Sequence, residues 1–134
     1  MKKTLFLVAI SGNTIDGREL PAADIVAIAN NYDSKTYAAG IYFNFENWTS
    51  AVGTVMGLKA ELVDGKAHLY AEVKVCSELL ESAKGWTLPN YFAVAIQYDS
   101  SLPSPYLVGL SPTTEPVIEG TDVITFSILA GCLA

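Results

Sequence analysis

Asp64-Gly65 lies between two long runs of strand-forming residues, 52–63 and 66–75. Asp-Gly suits a two-residue hairpin turn because both central positions need positive φ, which glycine adopts freely and aspartate tolerates. Within the second run Leu69, Ala71, Val73 and Val75 face one way, and His68, Tyr70, Glu72 and Lys74 face the other. This period of two predicts a sheet with one buried face. The centre of the chain is therefore committed to an antiparallel hairpin.

The flanking segments read as further strands with two short helices. Residues 5–10 form an apolar run, followed by turn chemistry over 11–18 (Gly12, Asn13, Asp16, Gly17). Met1-Lys2-Lys3 and that run imitate a secretory signal. The segment is shorter than the usual stretch of about 15–30 residues and ends in a turn, which favours a first β-strand. Pro21 opens a helix over 21–31 with Ile25, Ile28, Ala29 and Tyr32 along one face. Residues 37–48 are aromatic and branched and read as strand, with Phe43 and Phe45 toward the core and Tyr42 and Trp48 on the opposite face as candidate protein contacts. Ser77 is placed to cap a short helix over 78–84. Residues 91–98, 106–110 and 121–129 complete the strands, with 111–120 as a loop. The expected fold class is α+β, a single domain over 1–134 built mainly as an antiparallel β-barrel with flanking helices.

Composition excludes several functions. Eight basic and 14 acidic residues give a net charge of −6, without the Lys/Arg footprint that nucleic-acid binding requires. No apolar run reaches the roughly 18–20 residues of a membrane span. Charged residues are only 16% against 51% hydrophobic, compared with roughly 25% charged in an ordinary soluble domain; part of the surface is expected to meet a protein partner. Cys76 and Cys132 show no zinc spacing and read as small buried or half-buried thiols, so neither metal nor cofactor is expected. His68 is the chain's single histidine and sits on the solvated face of the hairpin. Gly53-x-x-x-Gly57 lies in a strand, without the Lys and Ser/Thr of a phosphate loop.

Longer motifs carry a resemblance. Thr14-Ile15-Asp16-Gly17-Arg18, then Ala22-x-Asp24-Ile25-x-x-Ile28-Ala29-x-x-Tyr32-Asp33 and Tyr37, resemble the opening of the phage capsid scaffolding serine peptidases, the GPO family. Gly53-x-Val55-x-x-Leu58-Lys59-Ala60-Glu61 with Gly65-Lys66 resembles that family's central hairpin, and Tyr91-x-x-x-x-Ile96-Gln97 its nucleophile strand. Tyr106-Leu107-Val108-Gly109-Leu110, Pro116 and Gly120-Thr121 follow in the same order. The resemblance implies a peptidase domain similar to the herpesvirus assembly proteases, normally joined to a C-terminal helical scaffold that is not expected here. It also implies work inside a procapsid in the host-cell cytoplasm, where such peptidases cut the scaffold and capsid proteins.

The family's catalytic residues run Asp, His, Ser along the chain. In this sequence the Asp position is Asp16, but the His register falls on Phe45 and the Ser register on Ala93. A serine nucleophile needs a hydroxyl and a base to take its proton; alanine and phenylalanine supply neither. The resemblance therefore implies an inactive peptidase homologue that binds a capsid protein, a scaffold protein or a second copy of itself, with Asp16 left to a structural role accepting backbone N–H groups in its turn. Two alternatives stand beside it. One is a hydrolase with a rearranged site, His68 with Ser111 or Ser100. The other is a phage or satellite protein that inhibits a host or helper-phage factor by binding.

Overall fold

The computed structural model describes residues 5–45, 50–99 and 101–133. Trp48 and Ser100, named above, lie outside the described residues, as does Met1-Lys2-Lys3. The chain folds as β1 (Leu5–Ile10), β2 (Gly12–Asn13), β3 (Glu19–Leu20), α1 (Ala22–Asn31), β4 (Gly40–Ile41), β5 (Gly53–Val63), β6 (Lys66–Val75), α2 (Ser77–Ala83), β7 (Asn90–Gln97), β8 (Tyr106–Thr113), β9 (Val123–Ile124) and α3 (Phe126–Ala130).

The central hairpin is as the sequence predicts. Val63 pairs with Lys66, and the two turn residues take φ of 51° at Asp64 and 80° at Gly65, both left-handed as a type I′ turn requires. On β6 Ala67, Leu69, Ala71, Val73 and Val75 are buried and the alternate residues are not. Gly53 opens β5 where a Cβ would lie 2.7 Å from the Lys74 carbonyl oxygen; it is a close-approach glycine.

Seven strands form one mixed sheet in the order β1-β6-β5-β4-β8-β7-β9. All of its pairings are antiparallel except β4 with β8, which is parallel. The class is α+β as expected, but the barrel is not closed: among the described residues no ladder joins β1 to β7. Their approach is filled by side chains, with Phe6 and Phe92 in edge-to-face contact at 5.6 Å. Asp122 occupies the edge of β1 instead of a strand. The Leu7 N–H donates to the Asp122 carboxylate (2.8 Å), and the Asp122 N–H donates to the Leu7 carbonyl (2.9 Å).

Other elements differ from expectation at their ends. Among the described residues of 37–48, strand pairing covers only Gly40–Ile41, so the alternation expected for Tyr42, Phe43 and Phe45 does not apply. Phe43 is exposed rather than core. Tyr42 is half-buried, its ring lying where a Cβ on Gly40 would be, 2.7 Å from the ring carbon Cζ. Cys76, not Ser77, holds the N-cap position of α2, and the Ser77 hydroxyl instead donates to Glu78. β8 runs through Ser111 to Thr113, which was expected as loop. The last strand stops at Ile124 because the Thr125 hydroxyl accepts the Ile128 N–H and starts α3, the side-chain capping that favours threonine at this position.

α1 packs Ile25 and Ile28 into the core, and three tyrosines fasten its C-terminal end to the sheet. The Tyr32 hydroxyl donates to the Val55 carbonyl (2.6 Å) and accepts the Ala39 N–H (2.9 Å). The buried Tyr106 hydroxyl accepts the Asp33 N–H (3.0 Å) and faces the carbonyls of Asp33 and Tyr37 at 2.8 Å each. The rings of Tyr32 and Tyr37 both pack against that of Tyr106.

Burial pushes the Tyr32 phenol up to about 12, against a smaller downward pull from the Ala39 N–H. Its folded value exceeds the unfolded one, so its contribution is complete below the unfolded value of 10.0 and is lost as pH rises toward 12. Tyr32→Phe leaves the fully buried Ala39 and Val55 without this partner, at an expected cost of about 1–3 kcal/mol. Chemical denaturation at neutral pH measures that loss. The same titration repeated above pH 10 is expected to show a shallower alkaline decline in the variant than in the parent.

Candidate functional site

A groove of about 890 Å³ runs beside β7. β7 contributes Phe92 through Ile96, and β9 pairs only with Asn90 and Tyr91. From Phe92 onward, the side of β7 away from β8 therefore has no ladder among the described residues. The rest of the lining includes Thr14 and Arg18 through Pro21, with Asp24 of α1, and Pro116, Val117 and Ile118. The Ile15 N–H ties these two segments together by donating to the Val117 carbonyl (2.7 Å). The lining is mainly apolar, with charge at Arg18, Glu19 and Asp24.

Phe45 and Ala93 both line this groove. They are 48 positions apart in sequence and reach it on different elements, Phe45 after the end of β4 and Ala93 in the middle of β7. Across the ladder Ala93 faces Ser111 of β8, which is buried. Asp16 is not among the lining residues, although Thr14 and Arg18, the two ends of its turn, are.

The turn around Asp16 is closed on itself. The tiny β2–β3 hairpin brings its ends together, the Thr14 N–H donates to the Arg18 carbonyl (2.8 Å), and Gly17 takes φ of 87°. The Asp16 carboxylate accepts from the Thr14 hydroxyl and from Arg18 Nε at 2.9 Å, and it forms an ion pair with the same guanidinium. Its main partners are thus side chains, not the backbone N–H groups expected from the sequence. The Thr14 hydroxyl first, and the Arg18 side chain second, hold its pKa below the ordinary 3.8.

His68 lies on β6, opposite Ile10 of β1 and Glu61 of β5, and does not line the groove. β5 and β4 stand between β6 and β8 in the sheet, so His68 and Ser111 are three strands apart, each step about 4.8 Å. Both cysteines are free, and burial raises the Cys132 thiol. Among the described residues no three His, Cys, Asp or Glu side chains gather as metal ligands, and no helix is long and apolar enough to cross a membrane.

The model of the GPO serine peptidase N-terminal domain matches residues 3–129. The chain belongs to this family. It is also 30% identical, over 136 aligned positions, to the capsid assembly scaffolding protein of Escherichia phage P2, an alignment covering 90% of this chain and 47% of that protein. The chain thus spans about half the length of that curated relative. No solved structure matches it.

Sequence reasoning did not find the Pro116–Ile118 lining or the place of Asp24, which lines the groove together with Tyr98. The signal for that lining was present only as Pro116 in a loop. No local pattern reveals that this loop returns to the Ile15 turn.

The Asp16 contribution to stability is present above its unfolded pKa and is lost as pH falls through the depressed folded value. Asp16→Asn is therefore expected to fold normally at neutral pH with a small loss of stability, since the group is exposed, and to lose less than the parent on acidification below 3.8. Thermal unfolding followed across that range checks the difference.

Proposed function

We propose that this chain acts in phage capsid assembly as a protein-binding module that has the family's groove without its peptidase chemistry. The observation that carries the reading is the pair Phe45 and Ala93 on one groove, at the positions where the family register calls for base and nucleophile. Ala93 has no hydroxyl to attack a carbonyl, and Phe45 cannot accept a proton. The chain's single histidine is on a different strand, outside the groove.

What remains is recognition. The unpaired side of β7 offers backbone donors and acceptors to an extended segment, and the apolar lining offers pockets for its side chains. The relative's name points to a capsid or scaffold protein as the source of that segment, and to the procapsid interior in the host cell as the place. Half-buried Tyr42, close to Phe45 in the chain, is a contact residue in this reading. The rearranged hydrolase is disfavoured by the separation of His68 from Ser111 and by the burial of Ser111.

Without base and nucleophile, oxyanion stabilisation and positioning leave roughly 10³–10⁴-fold over water, which ordinary peptide-cleavage assays do not detect. Incubation with capsid and scaffold proteins followed by mass spectrometry is expected to show complex formation and no specific cleavage. A serine-directed fluorophosphonate should leave the parent unlabelled. The double variant Phe45→His/Ala93→Ser is expected to become labelled at position 93, and Ala93→Ser alone to react far more slowly. Labelling of the parent, or specific cleavage by it, would refute the inactive reading.

A further inference from the structure

Among the described residues, the outer edge of β5 has no neighbour over most of its length. β4 covers only Gly53 and Thr54, and the Val55 N–H is taken by the Ala39 carbonyl. From Gly57 to Val63 the strand is paired to β6 alone among the described residues, with an uninterrupted register.

The direction of the free groups follows from β6. The N–H and C=O of Ala67 both bond Ser11, at 2.8 and 2.9 Å, so they are not exchanged with Leu62, the residue opposite on β5. The backbone groups of Leu62 therefore point away from β6, and by the alternation of an antiparallel ladder so do those of Ala60 and Leu58. The stretch 57–63 contains no proline, and its bulge lies before Gly57. Two of the usual devices that blunt an edge are thus missing from it. Leu62 is 70% exposed, on the face that carries Leu69 and Ala71 of β6.

We propose that this edge pairs with the same edge of a second copy, antiparallel about a two-fold axis at Ala60, so that two sheets join into one. The side chains select that occupant and that axis. About Ala60, Lys59 stands opposite Glu61 of the second copy, and Leu58 stands opposite Leu62 of the second copy. The axis brings Ala60, Leu58 and Leu62, whose backbone groups are free, into hydrogen-bonded positions. Lys59 and Glu61 fall at non-hydrogen-bonded positions, where opposed side chains are closest. Moving the axis by one residue in either direction sets Lys59 or Glu61 against its own copy, a like-charge contact that opposes pairing. Within one chain Lys59 and Glu61 already attract each other at 3.6 Å; pairing gives each a second opposite charge across the seam. A single-strand edge is a small interface, so the dimer belongs to the weak, concentration-dependent class.

Sedimentation of the 134-residue chain over a concentration series tests this. The parent is expected to pass from monomer to dimer. Ala60→Pro removes an N–H that faces away from β6 and so costs the monomer no hydrogen bond; it is expected to abolish the dimer. Lys59→Glu sets two carboxylates opposite each other at two places, and is expected to weaken dimerisation about tenfold or more. Lys59→Glu/Glu61→Lys restores the opposite-charge pairs and is expected to recover it. Circular dichroism verifies that each variant is folded; if Ala60→Pro is not, the charge series decides alone. A parent that stays monomeric at its highest soluble concentration overturns the proposal, including the case in which this edge serves a different protein. So does a dimer indifferent to Ala60→Pro, or a double variant that fails to recover pairing.

Discussion

The Tyr32 hydroxyl ties together the parts of the molecule that would otherwise be independent. It sits at the end of α1, donates to Val55 on β5 and accepts from Ala39 just before β4. That is the place where the sheet changes from antiparallel hairpins to the parallel pairing of β4 with β8. A two-residue strand such as β4 has too few ladder bonds to hold itself between two long neighbours. The tyrosine fixes its entry, Tyr106 fixes the connection from α1, and the Tyr42 ring packed on Gly40 fixes its exit. Phe45 reaches the groove because the chain leaves β4 in that direction.

Legibility in the sequence followed the range of the interactions. The β5–β6 hairpin was readable because its determinants are local: two turn residues and a period of two. The face of α1 with Ile25 and Ile28 was readable for the same reason. Residues 37–45 were misread because aromatic and branched composition favours strand, whereas what the segment forms depends on a side-chain hydroxyl seven residues away, Tyr32, and on Leu110, far away in sequence. The last element was misread because Thr125 suits a strand by propensity and a helix N-cap by hydrogen bonding, and the cap prevailed. Closure into a barrel was inferred from strand number and from the resemblance to the herpesvirus assembly proteases, and neither specifies what occupies the edge of β1.

The site shows the same division. Phe45 and Ala93 were identified through their order along the chain, and their shared groove depends on the whole sheet. The Asp16 turn could be recognised from Asp-Gly-Arg, yet its bonding to the Thr14 and Arg18 side chains shows only once the small β2–β3 hairpin brings the ends of the turn together. The result is a turn satisfied by its own residues. Such a turn keeps its shape without help from any residue outside it.

The seam between β1 and β7 gives the domain a mechanical character that a closed barrel lacks. Among the described residues it is bridged by the paired bonds of Leu7 with Asp122 and the contact of Phe6 with Phe92, and beside it the Ile15 N–H bonds Val117 at the groove. A closed barrel can widen only by breaking a continuous ladder, whereas a scroll widens by slipping a few fasteners while every ladder stays intact. The seam is therefore the compliant line of the domain, and the hydrogen-bonded sheet on either side of it is the stiff part.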